Sequence, residues 1–365
     1  MSFPAVKLGY LATMFTMTLK EIQKATNAKL IGVDSKMGSD SVVRGINTDS
    51  RTIKPGELFV ALKGENYDAH DFITHAHDRG AAAYLLDHEM EEVKPALIVD
   101  DTKVSFGQLA KAWRNKYDYP IVAVTGSNGK TTVKEMLASI LSTQGNVLAT
   151  KGNFNNNIGV PITLFRMSSA HDSAVIEMGA NHMAEISYLT ELVNPDVAII
   201  TNAAAAHLEG FGSLKGVAEA KAEIFSGLPK HGIAVINIDD TFANYWQSLC
   251  ADKKQFSFGF DPKADVTINN DIKNYHGQFK LHTPKAAIDI QLQVLGLHNL
   301  KHASAASAAA VALGIDISAI KAGLEKFAGV KGRLQVFKAA NDSIIIDDSY
   351  NANPTSTKAA IDVLS

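Results

Sequence analysis

Short apolar runs alternate with helical stretches through residues 119–329. The clearest runs are IVAVT, AVIEM, DVAIIT and IAVINI, and each is rich in valine and isoleucine. Strands that are buried on both faces have this composition, and strand–helix alternation is typical of a mostly parallel sheet. The sequence therefore predicts an α/β fold whose central sheet is covered by helices on both faces.

The length of 365 residues, with 46% hydrophobic and 20% charged residues, fits a globular protein of two or three domains. We predict an N-terminal extension over 1–17, a first domain over 18–118, a central domain over 119–329 and a third domain from 330. Ordered structure is expected to begin at Thr18, which can form a capping box with Glu21. Met17 is an alternative start of translation.

Charge and cysteine content narrow the class of protein. The net charge of −3 gives no basic excess of the kind that favours nucleic acid or an anionic membrane surface. One cysteine, Cys250, excludes an intrachain disulfide framework and indicates a reducing cytoplasm. No apolar run reaches the length of a membrane span, and the N-terminus lacks a clear signal-peptide pattern. We expect a monomer.

The stretch TGSNGKTT, Thr125–Thr132, resembles a shortened phosphate-binding loop. The common motif has four residues between its glycines, whereas Gly126 and Gly129 have two between them. A strand-like run precedes the stretch and a helical pattern follows it, as a helix N-terminus that binds phosphate requires. Lys130 would then reach the outer phosphates and Thr131 would ligate Mg²⁺. The alternative is a glycine-rich turn capped by threonine.

Two further side chains follow predicted strands of the same zone. Glu177 ends AVIEM, and His207 follows DVAIIT, so both fall at carboxyl ends of strands, where open α/β sheets bind ligands. A carboxylate at Glu177 would suit Mg²⁺. Taken singly, an acidic strand end and a lone histidine are more often structural.

Seven motifs in order resemble the Mur ligases, a family of ATP-dependent amide ligases that build the peptide of bacterial cell-wall precursors. The motifs are TGSNGKTT, GNFNNNIGVP, EMGANHMAEI, AHLEGFGSLKGVAEAKAEIF, GLHN, KGR and DDSYNANP. The resemblance runs from Thr48 to the end of the chain. It implies a three-domain architecture with a central P-loop-type sheet, in which the third domain would be only partly present.

The resemblance implies an ATP site with two Mg²⁺ ions. The ATP-binding residues would be Gly126, Ser127, Asn128, Gly129, Lys130, Thr131, Thr132, Asn299, Arg333 and Asp348. Thr131, Glu177 and His207 would hold the metals, together with Lys221 as a carbamate. Lys130, Glu177, His207, Lys221 and Arg333 would be the catalytic group. The family usually has a second asparagine three residues after Asn299, where this chain has His302.

The resemblance also implies two substrate sites. The candidates for the UDP-substrate are Ser50, Arg51, Lys63, Gly64, His70, Asn155 and Asn156. Asn351 and Asn353 would lie near an incoming dipeptide. Where the family has glycine before His70, this chain has Ala69.

EMGAN combined with DDSYNANP is most similar to family members that join D-alanyl-D-alanine to UDP-N-acetylmuramoyl-tripeptide through an acyl phosphate. Two alternatives are a folylpolyglutamate synthetase-like ligase and a non-catalytic fragment that binds UDP and ATP.

The sequence predicts one strand, SIIIDD, and one helix after Val330. This strand would then lack neighbours, and we expect the residues beyond Val330 to be disordered or packed against a neighbouring molecule. On that basis a protein that ends at Ser365 would keep UDP-substrate binding but would not ligate the dipeptide.

Overall fold

The computed structural model describes residues 15–33, 38–64, 67–91, 93–206, 208–268, 277–339 and 343–364. The chain divides into two compact units. The first is Met1–Asp118 with Asn157–Ser169, and the second is Tyr119–Asn156 with Ala170–Ser365. Residues 157–169 therefore pack with the first unit and the C-terminal segment with the second. The predicted limits of the functional domains stay a prediction.

The first unit contains most of its elements before residue 118. They are β1 (Thr16–Thr18), α1 (Leu19–Thr26), β2 (Lys29–Ile31), β3 (Val42–Arg44), β4 (Ile46–Asn47), β5 (Leu58–Val60), a 3₁₀ turn (Ala69–Phe72), α2 (Ile73–Asp78), β6 (Ala83–Leu86), β7 (Ala96–Ile98) and α3 (Thr102–Arg114). Five strands form a sheet in the order β2-β7-β6-β5-β4, in which only β2 is antiparallel to its neighbour. Phe59, Tyr84 and Leu86 belong to the buried cluster on this sheet.

Ordered structure begins earlier than the predicted start at Thr18. Strand β1 pairs antiparallel with β3, and Met17 is 3% exposed. Phe15 is fully buried, with ring centroids 5.1 Å from Trp113 and 5.3 Å from Phe165. Residues 15–17 are thus part of the first unit because their apolar side chains are buried there. The predicted capping box at Thr18 is present, with both reciprocal bonds to Glu21.

The rest of the chain holds the remaining elements. They are β8 (Ile121–Thr125), α4 (Lys130–Leu141), β9 (Val147–Ala149), α5 (Gly159–Leu164, in the first unit), β10 (Ser173–Glu177), α6 (Glu185–Val193), β11 (Val197–Ile200), α7 (Leu208–Phe211), α8 (Leu214–Ser226), β12 (Ile233–Asn237), α9 (Ala243–Leu249), β13 (Lys254–Gly259), β14 (Val266–Ile268), β15 (Gln278–His282), β16 (Ala287–Gln291), α10 (Leu297–Ala312), α11 (Ile317–Lys326), β17 (Gln335–Lys338), β18 (Ile344–Asp347) and α12 (Pro354–Leu364).

A nine-stranded sheet dominates the second unit, in the order β16-β15-β14-β13-β12-β11-β8-β10-β9. All its pairings from β14 to β9 are parallel, and β15 and β16 complete it with antiparallel pairings. The prediction of a mostly parallel central sheet is therefore confirmed. Side chains of α4 and the alanine-rich α10 join β8, β10 and β11 in one buried cluster. Small alanine side chains let α10 approach α4 and β13 closely.

The C-terminal segment differs from the prediction. Strand β18 is not isolated, since it pairs antiparallel with β17 over four residue pairs. The sequence prediction missed β17, whose Val336 and Phe337 are 44% and 45% exposed. Ile344 and Ile345 are also exposed, at 64% and 56%, as expected for a strand without a second covering layer. Pairing between β17 and β18 satisfies the backbone N–H and C=O groups on their facing edges, which explains how this segment is ordered.

None of the described helices is both long and apolar enough to cross a bilayer.

Removing the capping box should destabilise the first unit. The Thr18 side chain accepts a hydrogen bond from the backbone N–H of Glu21 at 3.1 Å. We expect Thr18→Ala to lower the free energy of unfolding by about 1 kcal/mol, whereas Thr18→Ser keeps the hydroxyl and should stay near wild type. Urea unfolding followed by Trp113 fluorescence measures both. Equal stability of all three proteins would contradict the role of the cap.

Candidate functional site

The glycine loop, residues 126–129, connects the end of β8 to the start of α4 at the carboxyl edge of the nine-stranded sheet. Gly126 and Gly129 have φ values of +147° and +79°. A Cβ at Gly126 would lie 1.9 Å from Oγ1 of Thr201, and one at Gly129 would lie 2.1 Å from Nε2 of His302. Both positions therefore require glycine for backbone conformation and for space. The loop leads into the first turn of α4, whose backbone N–H groups have no partner within the helix and attract anions.

Two residues after β11 hold the loop in shape. The backbone N–H of Asn128 donates to Oδ1 of Asn202 at 3.0 Å, and the N–H of Ser127 donates to the carbonyl of Asn202 at 3.0 Å. The Thr201 hydroxyl donates to the carbonyl of Asn128 at 2.6 Å. Sequence analysis missed this role of Thr201 and Asn202. A polar pair directly after the apolar run of β11 was the available signal.

Lys130 is folded back over the loop. Its Nζ donates to the carbonyl of Gly126 at 2.7 Å and to that of Ser127 at 3.3 Å. Desolvation lowers the pKa of Lys130, while the negative charge of Glu177 opposes that shift. The ammonium is thus positioned above the loop by two neutral acceptors, with a carboxylate close enough to act on its charge.

Glu177 is the last residue of β10 and is 2% exposed. Its Oε1 accepts from Nδ2 of Asn155 at 2.8 Å, and its backbone N–H donates to Oγ1 of Thr150 at 3.0 Å. Among the described residues, its buried Oε2 has no hydrogen-bond partner. A buried carboxylate oxygen without a partner is costly, so it fits a cation that the structure does not contain.

A second buried lysine supports the position of Glu177. Lys134 is fully buried in α4, and its Nζ donates to the carbonyl of Thr150 at 2.6 Å. The Thr150 hydroxyl in turn accepts the N–H of Glu177. Sequence analysis did not select Lys134 or Thr150, because their partners are distant in sequence.

Lys221 lies in α8 and is 2% exposed. Burial lowers its pKa to about 7, and the charge of Lys130 acts in the same direction. The Nζ lies 5.1 Å from the centre of the Phe211 ring. The neighbouring acids are engaged elsewhere, since Glu223 accepts the N–H groups of Ala184 and Ser187. A buried amine with this pKa is neutral in a large fraction of molecules at neutral pH.

Helix α10 brings Asn299 and His302 to the loop region. Asn299 is 6% exposed, and its Nδ2 donates to the carbonyl of Leu295 at 2.7 Å. Its Oδ1 lies 3.3 Å from Nδ1 of His302. Burial, followed by the charges of nearby basic residues, lowers the pKa of His302 to about 3. His302 is therefore a neutral imidazole against Gly129.

The C-terminal segment contacts the same loop and helix start. Nη2 of Arg333 lies 3.4 Å from Oγ1 of Thr131, and its guanidinium carbon lies 4.4 Å from the centre of the Tyr350 ring. Its Nε is buried and has no partner among the described residues. Nδ2 of Asn353 donates to Oδ1 of Asn128 at 2.6 Å. These contacts place a delocalised cation and an amide at the loop.

The remaining predicted site residues of the second unit have other surroundings. Asp348 accepts the backbone N–H of Leu334 at 3.2 Å, and Asn351 is exposed. Asn156 follows Asn155 in the loop after β9. Thr132 is buried in the first turn of α4. His207 lies outside the described residues.

The predicted substrate residues of the first unit follow β4 and β5. Ser50 is 6% exposed, with Oγ 3.1 Å from Nδ1 of His75. The Arg51 guanidinium donates to both oxygens of Asp49, at 2.9 and 2.7 Å. This pairing lowers the pKa of Asp49 and fixes the orientation of Arg51, whose side chain stays exposed.

Lys63 and His70 flank the turn after β5, which contains Gly64. Lys63 Nζ lies 3.5 Å from Oδ2 of Asp68. His70 is 7% exposed, with its ring nitrogens facing Asp68 and Asp87 at 2.6 and 3.3 Å. Both ring nitrogens of His70 thus lie close to carboxylates of the same unit, and the Lys63 side chain is 67% exposed beside Asp68.

Comparison with known proteins gives consistent matches. The sequence matches the Mur ligase middle domain over residues 124–310 and the Mur ligase family catalytic domain over residues 42–114. It is 46% identical to the UDP-N-acetylmuramoyl-tripeptide–D-alanyl-D-alanine ligase of Escherichia coli strain K12, over 96% of this chain and 77% of that protein.

Two solved structures have the same fold. MurF from Acinetobacter baumannii superposes with a TM-score of 0.91 at 38% identity, covering 96% of this chain and 77% of that one. MurF ligase from Thermotoga maritima, solved in complex with ADP, gives a TM-score of 0.79 at 27% identity and covers 87% and 74%.

The tight packing at Gly129 gives a test of the loop geometry. Gly129→Ala should cost at least about 2 kcal/mol of stability, because it combines a left-handed backbone with an overlap on His302. In the His302→Ala background the overlap is absent, so Gly129→Ala carries only its backbone cost. We expect Gly129→Ala to lower the free energy of unfolding in that background by about half as much as it does in the wild type, measured by urea unfolding. A double variant as unstable as the sum of its single changes would contradict the contact.

Proposed function

The chain belongs to the Mur ligase family, and on this premise we propose that it joins D-alanyl-D-alanine to UDP-N-acetylmuramoyl-tripeptide with conversion of ATP to ADP and phosphate. The observation that carries the proposal is 46% identity to a ligase of that name over 96% of this chain. The reaction belongs to the synthesis of peptidoglycan precursors, for which we propose a cytoplasmic location.

The glycine loop is the proposed cradle for the ATP phosphates. The N–H groups in the first turn of α4 and the positive end of that helix dipole favour anions. Lys130 and Arg333 add two cations beside the loop. Asn299 is proposed to contact adenine next to His302, and Asp348 is proposed to contact the ribose. The ADP complex of the Thermotoga maritima ligase supports a nucleotide here.

The residues at this edge also fit Mg²⁺. Oxygen donors suit this cation, and Glu177 supplies a buried oxygen without a partner among the described residues. We propose Thr131, Glu177, His207 and a carbamate on Lys221 as ligands of two ions. Bound Mg²⁺ would neutralise the charge that the phosphates bring into the site.

The state of Lys221 supports the proposed carbamate. Its pKa of about 7 leaves about half of the amines neutral at pH 7, with a lone pair able to attack CO₂. A C–N bond forms, one proton leaves the nitrogen, and the product is an anionic carbamate. The change replaces a buried cation by an anion beside Lys130, which removes a repulsion between like charges.

The chemistry of the proposed reaction needs activation of a carboxylate. The tripeptide carboxylate attacks the γ-phosphorus, the bond to ADP breaks, and an acyl phosphate results. The neutral amine of the dipeptide then attacks the acyl carbon, phosphate leaves with the bonding electrons, and the nitrogen loses one proton to give the neutral amide. In this proposal the glycine loop positions the phosphates, and the positive charges of Lys130 and Arg333 stabilise the negative charge of the transition state.

The organic substrates are assigned to further residues. Ser50, Arg51, Lys63 and Gly64 are proposed to contact the UDP-substrate directly, and His70 acts indirectly because its nitrogens face two carboxylates. Asn155 and Asn156 are proposed to reach the same substrate. Asn351 and Asn353 are proposed for the dipeptide side. No observation favours a folate-type ligase or a non-catalytic binding protein.

The proposed function is tested by phosphate release with UDP-N-acetylmuramoyl-tripeptide and ATP. Release should depend on D-alanyl-D-alanine and should not occur with glutamate as the amine. Release supported by glutamate but not by the dipeptide would favour a folate-type ligase. Binding of UDP and ATP without release under any amine would favour a binding protein.

Lys130→Ala should abolish ATP turnover, with a loss of at least about 100-fold in kcat, because the cation beside the phosphates is removed. Binding of the UDP-substrate should change less than about twofold, since most of its proposed contacts lie in the first unit. Calorimetry with each ligand separates the effects, and Lys285→Ala, at an exposed lysine, is the control. Equal loss of both ligands would contradict the assignment.

Lys221→Ala should reduce phosphate release by at least about 100-fold, and added acetate should restore part of it by supplying a carboxylate. Lys221→Arg keeps a positive charge but forms no carbamate, so it should be equally inactive. Lys215→Ala, at an exposed lysine of the same helix, is the control. Full activity of Lys221→Ala would exclude the carbamate.

The pKa of Lys221 also predicts a pH dependence. Its value of about 7 lies below the ordinary value of 10.5, so the neutral, CO₂-reactive amine increases as pH rises through 7. At limiting bicarbonate, incorporation of ¹³C-labelled CO₂, detected by NMR, should be several-fold greater at pH 8 than at pH 6. A flat profile across this range would contradict the mechanism.

A further inference from the structure

A cluster of two imidazoles and one carboxylate lies at the carboxyl edge of the first-unit sheet. Strand β6 ends at Leu86, so Asp87 and His88 follow it directly. His70 lies in the 3₁₀ turn, which is capped by the Asp68 side chain. One ligating atom from each of His70, Asp87 and His88 lies within 4.8 Å of the others.

The surroundings of His70 fix which nitrogen carries its proton. Asp68 Oδ1 lies 2.6 Å from Nδ1 and also accepts the backbone N–H of His70. The backbone N–H of Asp87 points at Nε2 at 3.4 Å. Nδ1 is therefore the donor and Nε2 carries a lone pair, in the carboxylate–histidine arrangement that orients metal ligands.

A carboxylate oxygen also lies close to Nε2 of His70. The distance from Nε2 to Oδ1 of Asp87 is 3.3 Å, and the His70 side chain is buried whereas that of Asp87 is 27% exposed. With Nε2 as an acceptor, a cation between these two atoms would stabilise the pair. Lys63 does not fill this role, because it pairs with the other side of the cluster at Asp68.

One of the spacings in the cluster matches a tetrahedral metal ion, and a second is shorter than such an ion requires. Bonds of about 2.0–2.1 Å to nitrogen and oxygen separate two ligand atoms by about 3.3 Å. The distance from His70 to Asp87 already equals this value. His88 Nδ1 lies 2.5 Å from Asp87 Oδ1, and its side chain is 57% exposed, so it can move outward without disturbing the core.

We propose that His70 Nε2, the Asp87 carboxylate and His88 Nδ1 bind one divalent transition-metal ion of the Zn²⁺ type, with Asp68 as the positioning residue for His70. Two imidazole nitrogens and one carboxylate oxygen form a donor set that suits Zn²⁺ and disfavours Mg²⁺. Three protein ligands leave the fourth position open to water. The site is separate from the proposed Mg²⁺ ligands and does not rest on the proposed function.

The test uses the full chain stripped of metal with chelator. Calorimetric titration with Zn²⁺ should give one site per chain, and Mg²⁺ at the same concentration should not occupy it. His88→Ala removes a ligand at an exposed position, so the fold stays intact, and the affinity should fall at least about 10-fold. Asp87→Asn should act similarly, whereas His231→Ala, at an exposed histidine of the second unit, should leave the site unchanged.

X-ray absorption of the Zn²⁺-loaded wild type should show two imidazole ligands and a coordination number of four. The result that overturns the proposal is Zn²⁺ binding of equal affinity and stoichiometry in wild type and His88→Ala. Absence of a site in the wild type also overturns it.

Discussion

The parallel pairing of β8 with both β10 and β11 is the constraint on which the second unit depends. Parallel neighbours end at the same edge, so Thr125, Glu177 and Ile200 finish side by side. The glycine loop therefore starts between an acidic strand end and the polar pair Thr201–Asn202. Hydrogen bonds from that pair determine the loop's shape, and a one-residue shift in register would remove them.

Burial of charge is the second theme of the site. The charges of Lys221 and Arg333 both interact with that of Lys130, and desolvation lowers the pKa values of the two lysines. An excess of buried cations is unfavourable in the isolated chain and favourable once anions arrive. The same arrangement that costs stability would thus favour the polyanionic ligand proposed for this site.

Much of this organisation was predictable from local sequence. Runs of valine and isoleucine identified β8, β10, β11 and β12, and the glycines located the loop. The unpredicted parts depend on distant partners. Phe15 is buried by Trp113 and Phe165, which lie about 100 and 150 residues further along the chain. Strand β17 was missed because its Val336 and Phe337 look like a short exposed run until β18 pairs with it.

The position of Lys130 has a consequence for ligand exchange. Its Nζ already donates to two loop carbonyls, at 2.7 and 3.3 Å, so an arriving phosphate substitutes for bonds that exist. The binding enthalpy is then the difference between two sets of hydrogen bonds, and it is smaller than the new contacts alone suggest. A small monovalent anion such as chloride would bring fewer acceptors to that exchange than the polyphosphate chain proposed for this loop. The loop carbonyls would thus act as internal competitors that favour a ligand with many oxygens.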